Sequence, residues 1–289
     1  MRKCVLASVF VGLLALHVGA QDAVEIKIAH PKAGDRLKVT KTEKTTGKLM
    51  IDIGGKKENK DIKENSTVVY IDDVITPGKN DEKPLKQTRT YEKYDAEKDG
   101  MKEDGPPLNT PILIEKKEDK YEFSVKGEKL KGEFAKKLDR EFNKPELELK
   151  TEILLPGKAV KPGDTWKIDG AKLAKSLNED GELTVDGDKT VATGKLVKAY
   201  KKGNQQYGVM EFTIEAPVKG LGEGAKVKAG SAMTFKLTVD GNIDGTDPSE
   251  QMNGTFKLKI DAEGMGASVV ITADGTVSEN KQLLPKGKK

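Results

Sequence analysis

Long runs in which apolar and charged residues alternate one by one constrain this chain more than anything else in it. Val24, Ile26 and Ile28 alternate with Glu25 and Lys27, and Leu37 and Val39 with Arg36, Lys38 and Thr40. Leu147, Leu149 and Ile153 oppose Glu146, Glu148, Lys150 and Glu152. Met210, Phe212 and Ile214 oppose Glu211, Thr213 and Glu215, while Met233, Phe235, Leu237 and Val239 oppose Thr234, Lys236 and Thr238. Phe256, Leu258 and Ile260 repeat the rule against Lys257 and Lys259. A period of two sends successive side chains to opposite faces, so these runs predict antiparallel strands with one face buried and one in water. Aromatic residues make up only 5% of the chain, which points to a thin core.

Gly54-Gly55, Asp99-Gly100, Asp186-Gly187, Asp240-Gly241, Asn253-Gly254 and Asp274-Gly275 punctuate the runs. Such pairs supply the positive φ angles of tight hairpins, so residues 183–279 read as a β-meander. Residues 98–111, centred on Asp104-Gly105-Pro106-Pro107, read as a loop or linker. Two segments break the period. Leu130, Phe134, Leu138 and Phe142 recur every fourth residue and predict an amphipathic helix of about three turns that ends before Pro145. A shorter helix is predicted from Ala171 to Leu177, with Leu173, Ala174 and Leu177 inward. Packing of the longer helix on its own sheet is preferred to a partner-binding role. The expected fold class is therefore α+β, mainly antiparallel β: a curved sheet, partial barrel or sandwich with one packed amphipathic helix. Residues 21–125 form an N-terminal β region and 126–289 a helix plus β-meander region, as one domain or two. Pro31 to Val39 is echoed by Lys161 to Ile168, each a proline-containing turn followed by Gly-Asp and a strand. Duplication and a common way of entering a strand explain this equally well.

The first twenty residues have the layout of a secretory signal peptide. Arg2 and Lys3 precede an apolar run from Val5 to Leu16 that ends at Val18-Gly19-Ala20. Cleavage near Ala20 predicts a secreted or periplasmic protein. Cys4, the only cysteine, and His17 leave with the leader, so the mature chain is cysteine-free and builds no disulfide. Cys4 lies before the apolar run, the wrong side for lipid anchoring. The run is shorter than the ~20 residues that span a bilayer, and no later uncharged segment approaches that length, so no transmembrane segment is expected after cleavage. The leader holds two of the 51 basic residues, leaving 49 against 47 acidic, a nearly neutral balance. Only Arg2, Arg36, Arg89 and Arg140 are arginines; lysines bind phosphate poorly in bidentate fashion, and nucleic acid is disfavoured as a partner.

The segment from Leu154-Leu155-Pro156-Gly157 through Lys161-Pro162-Gly163-Asp164-Thr165-Trp166 resembles a signature of uncharacterised secreted bacterial proteins. In these a strand ends in Leu-Pro and Gly-Asp-(Thr/Ser)-Trp opens the next. The resemblance covers about residues 125–280 and implies a β-rich fold and an exported address; the family has no agreed activity. Independently of it, Trp166 suits a core position at a strand start.

The residues for common catalytic sets are missing. A Ser-His-Asp triad would need His30, there is no Gly-x-Ser-x-Gly elbow, and a zinc hydrolase would need more than one histidine. Asp240-Gly241-Asn242-Ile243-Asp244-Gly245 matches the start of a calcium loop, but Gln251 stands where the closing glutamate belongs. Carboxylates are too abundant to single out a pair. Asn65-Ser66-Thr67 and Asn253-Gly254-Thr255 fit the glycosylation pattern, which is chance in a bacterial protein. The lysine-rich tail Lys281 to Lys289 reads as a solvated terminus. No catalytic, cofactor-binding or metal residue is assigned, and no cofactor is expected. The leading reading is a secreted or periplasmic, non-enzymatic binding or envelope-associated protein of unspecified role; its partner is unknown, with an apolar ligand or an envelope component as candidates. The alternative is a carrier that holds an apolar ligand, lipid or lipoprotein, in a half barrel; a carboxylate-dependent hydrolase comes third.

Overall fold

The alternating runs become strands of one fifteen-stranded, antiparallel sheet. The computed structural model describes residues 22–79, 83–143, 151–178, 183–222, 225–264 and 266–285. The predicted signal peptide and the predicted strand residues Leu147 and Leu149 lie outside them. The strands are β1 (Arg36–Ile53), β2 (Lys56–Thr76), β3 (Lys86–Lys98), β4 (Met101–Lys102), β5 (Ile112–Lys117), β6 (Lys120–Val125), β7 (Glu128–Lys129), β8 (Thr165–Ile168), β9 (Leu183–Val185), β10 (Val191–Lys202), β11 (Gln205–Leu221), β12 (Lys226–Val227), β13 (Ala232–Asn242), β14 (Glu250–Gly264) and β15 (Ala267–Leu283). Helices α1 (Glu133–Asn143), α2 (Thr151–Leu154) and α3 (Gly170–Leu177) lie between β7 and β9 in sequence.

The path of the chain explains the topology. It starts in the middle of the sheet with β1, steps outward through β2, β3, β5 and β6 to β7, and passes through α1 and α2 to the opposite edge at β8. It then returns inward through β10, β11, β13 and β14. The last strand, β15, lies along β1 from Leu37 opposite Leu283 to Ile53 opposite Ala267.

Register assigns every side chain to a face. One cross-strand row reads Trp166, Gly194, Phe212, Leu237, Gly254, Val277, Glu43, Ser66, Ala96. Its neighbour on the other face reads Lys167, Thr193, Thr213, Lys236, Thr255, Thr276, Lys44, Asn65, Glu97. The first face is inner and the second meets water. Two separate clusters sit on the inner face. Phe134, Leu138 and Phe142 of α1 join Tyr91, Ile112, Ile114 and Phe123, while Leu173, Ala174 and Leu177 of α3 join Trp166, Phe212, Ile214 and Val185.

The α+β expectation is corrected by this arrangement. The described chain is 62% strand and 9% helix, around a single sheet. Instead of one helix forming a layer across a curved sheet, partial barrel or sandwich, short helices sit near its two ends, α1 beside β6 and α3 beside β9. Ile153, expected in a strand, lies in α2. Three predicted turns are also corrected, because Gly241, Gly254 and Gly275 lie inside β13, β14 and β15. They are glycines for closeness: a Cβ on Gly275 would sit 2.0 Å from the Phe256 ring, and one on Gly254 2.5 Å from Leu237. Large neighbours fold over strand glycines here, as occurs in bent sheets.

The internal echo has a shared geometry. At both sites the aspartate carboxylate accepts from the amide three residues earlier at 2.8 Å, Lys32 for Asp35 and Lys161 for Asp164. Both glycines have positive φ, 82° at Gly34 and 94° at Gly163, and both donate to a neighbouring strand, at Val74 and Leu196.

Gly47 makes the central seam sensitive, since a Cβ there would lie 2.2 Å from the Thr272 carbonyl oxygen. Gly47→Ala is expected to cost ~1–3 kcal/mol in denaturant unfolding, whereas exposed Thr42→Ala stays within ~0.5 kcal/mol. Phe134 stands edge-on to Tyr91 and Tyr94, with centroids 5.3 and 5.6 Å away. Phe134→Ala should cost ~3–5 kcal/mol in the same measurement.

Candidate functional site

The inner face carries three kinds of surface in sequence along its width. Under α1 lies an aromatic cluster with an ion group inside it. Arg89, 5% exposed, donates from Nε and Nη2 to the two carboxylate oxygens of Asp72, at 2.7 and 2.9 Å, and from Nη1 to Glu141 of α1 at 2.7 Å. Its guanidinium lies 3.9 Å from the Tyr70 ring centroid. Burial pushes the Asp72 carboxyl up, against the pull of Arg89. Paired this fully, the group ties α1 to β2 and β3, and removing one partner would strand a buried charge.

Next comes a charged strip across β2, β1, β15 and β14. Lys41 bonds Glu43 at 2.8 Å and Lys281 bonds Glu250 at 2.6 Å. Burial alone would lower Lys281, but Glu250 and Glu279 outweigh it and raise it. A cleft of about 230 Å³ between α1 and this strip is bordered by Glu43, Glu64, Glu97, Glu103, Lys137 and Arg140. Lysines hold three of its glutamates: Lys41 at Glu43, Lys98 at Glu64 at 2.5 Å, and Lys137 at Glu103. A pair of carboxylates occupied in this way is poorly placed to share acid and base roles.

Beyond the strip, the inner faces of four strands form an apolar band, called the trough below, of which Phe235, Leu237, Val239, Leu258 and Ile271 pack against the α3 cluster. Its inner residues are Val239, Leu237 and Phe235 on β13; Met252, Phe256 and Leu258 on β14; Val277, Ile271 and Val269 on β15; and Leu49 and Ile51 on β1. All are half-buried. Under α3, by contrast, Ile214 and Leu196 are 0% exposed. From Met252 to Ala262, Ala267 to Val277 and Thr45 to Ile53, no inner position bears a charge.

The residues singled out from sequence take other parts. Trp166 is buried, donates from its indole to the Leu154 carbonyl at 2.7 Å, and lies over Gly194, where a Cβ would be 2.3 Å from the ring. In this chain the bond ties the segment before Leu155-Pro156 to the strand that Gly163-Asp164-Thr165-Trp166 opens. The Asp240 to Gly245 segment spends its acceptors internally. Asp244 accepts from the Gln206 amide and the Thr246 hydroxyl, Asn242 from the Thr246 amide, and Asp240 from the Tyr200 hydroxyl. Among the described residues no cluster of three or more His, Cys, Asp or Glu could hold a metal. His30 is exposed before β1, Asn253 faces water on β14, and Lys281 is drawn into β15 rather than fraying with the tail. The trough was missed from sequence. Its signal was available in two places where alternation fails, Leu49-Met50-Ile51 and Val269-Val270-Ile271.

No family matches the chain and no curated protein does. An outer membrane channel from Pseudomonas putida F1 aligns at 9% identity over 89% of this chain and 98% of its own, with a TM-score of 0.21. OccK11 (OpdR) of Pseudomonas aeruginosa aligns at 8% identity over 91% and 100%, with a TM-score of 0.16. Likeness at that level reflects antiparallel strands and supports no functional transfer. Among the described residues no helix is long and apolar enough to cross a membrane.

The ion groups predict an alkaline transition. Burial pushes the Tyr91 hydroxyl up to about 12, with Arg89 opposing. A phenol raised in the folded state contributes stability that is complete below its unfolded value of about 10 and is lost as pH rises toward 12. Lys281, raised likewise, acts in the same direction. Unfolding free energy should be level from neutral pH to about pH 10 and fall above it, and Tyr91→Phe should remove about 2–3 kcal/mol of that fall.

Proposed function

We propose that this is an exported, non-enzymatic binding protein whose trough holds the hydrocarbon chain of a lipid. The observation that carries this reading is the half-buried inner face of β1, β15, β14 and β13, apolar and uncharged across four adjacent strands. A contiguous apolar surface of this kind in a soluble chain marks a binding site. Backbone donors and acceptors inside the trough are consumed by the strand ladder, so nothing there orients a polar ligand. A flexible alkyl chain needs no orientation, only apolar area. The charged strip of Lys41, Glu43, Glu279 and Lys281 closes one end and suits a polar head, which fits an amphiphile better than a pure hydrocarbon.

Delipidated protein should bind a fluorescent fatty acid saturably. Leu258→Glu, which places a carboxylate in the trough, should abolish binding while unfolding remains cooperative; Thr255→Glu on the outer face should bind normally. Native mass spectrometry of protein from its own host should show a lipid adduct. Folded, delipidated protein that binds the fatty acid no better than Leu258→Glu would refute the assignment.

A further inference from the structure

Helices α1 and α3 end in the same contact. Asn143, the last residue of α1, accepts from the Tyr121 amide through Oδ1 at 2.7 Å and donates from Nδ2 to the Tyr121 carbonyl at 3.0 Å. Asn178, which follows α3, accepts from the Val185 amide at 2.8 Å and donates to the Val185 carbonyl at 3.3 Å. A carboxamide offers one acceptor and one donor side by side, as the backbone of a neighbouring strand would. Asn178 has a φ of −98°, so it does not supply the left-handed turn that often recruits asparagine to a helix end. Both targets lie at margins of the sheet. Among the described residues β9 pairs only with β11, and its Asp186 neighbour bonds Pro217 on that side, which leaves the Val185 groups pointing outward. β6 pairs with β5 on one side and on the other only with the two residues of β7. There the Phe123 carbonyl accepts from the Leu130 amide, and Asn143 closes the next outward position, Tyr121.

We propose that Asn143 and Asn178 are latches that close these two edges against strand addition by a second copy of this chain, so that the helix ends keep the protein monomeric. The other open stretches of strand are protected differently. β2 runs on past the end of β3, and there every residue from Lys56 to Asp61 is charged or asparagine. β10 runs on past β8 with Lys198, Lys201 and Lys202, and β8 itself has four residues. Charge and shortness each deter pairing at an edge. β6 and β9 instead carry Tyr121, Phe123 and Val125, and Leu183 and Val185, on one face, and these are the edges the asparagines occupy. A second copy is the occupant that the β6 sequence fits. Laid antiparallel on itself about Tyr121, it sets Lys120 opposite Glu122 twice, and the two Tyr121 residues would exchange the amide and carbonyl bonds that Asn143 now takes.

Light scattering and residue-resolved amide hydrogen exchange on the full chain test this. Asn143→Ala/Asn178→Ala, shown to be folded by cooperative unfolding and buried Trp166 emission, should self-associate as its concentration rises, beyond anything wild type does. In dilute solution its Tyr121 and Val185 amides should exchange roughly tenfold or more faster than those of wild type. In the associated form at least one of the two should be protected again, which marks that edge as the interface. Asn253→Ala, on the water face of β14, should match wild type in both measurements. If the folded double variant associates no more than wild type, or associates while both amides stay open, the latch proposal is wrong. Wild-type protein gives a check that needs no variant to fold: Tyr121 and Val185 amides exchanging as fast as those of an unstructured peptide would equally overturn it.

Discussion

The pairing of β1 with β15 holds this protein together. It joins the first strand of the sheet to the last, and the two meanders are built outward from it in opposite directions. Almost every other pairing links strands close in sequence and could form as a local hairpin, at small loop-closure cost. The seam brings together residues more than two hundred positions apart, so its entropy cost falls late in folding and must be met by many ladder bonds and side-chain pairs formed together. This gives Gly47 its importance: a side chain there would press on the backbone of the partner strand within the seam.

The seam also separates two ways of covering a sheet. On the β3 side α1 is fixed by Ile112 and Ile114, by aromatic edges and by the Arg89, Asp72 and Glu141 group. Such a group gives geometry more than stability, because desolvation consumes most of the Coulomb gain. On the β11 side, α3 is fixed by Leu173 and Leu177 against a dry aliphatic interior, with Asp169 capping its first turn through the Ala171 and Lys172 amides. Between the two helix clusters the inner face changes from charged to apolar.

Much of the fold was legible because period two is unambiguous when charges occupy every second position. The strand faces, the positions of α1 and α3 and the burial of Trp166 all follow from local patterns. The class did not follow, since an eleven-residue helix with a clear stripe looks like a structural layer until the sheet beside it proves far larger. Asp-Gly and Asn-Gly misled for a related reason. Gly254 and Gly275 serve a neighbouring strand, and sequence alone does not show that Leu237 and Phe256 will lie over them. The trough was hidden because each of its strands looks like an ordinary half-buried one; its identity depends on which residues nothing covers, a property of long-range assembly.

That dependence decides how the trough should be viewed energetically. An apolar inner face left half-covered forgoes roughly 25 cal/mol for each square ångström still in water, and a third helix between α1 and α3 would recover it. The chain instead leaves Leu49, Ile51, Val269 and Ile271 half-buried, while Ile214 and Leu196 in the cluster that holds α3 are fully buried. Glycine at 254 and 275, with Leu237 and Phe256 folded down over them, lowers the floor of the trough where bulky residues would fill it. On the function proposed above, this half-buried face is where a molecule from outside the chain would add the missing apolar contact.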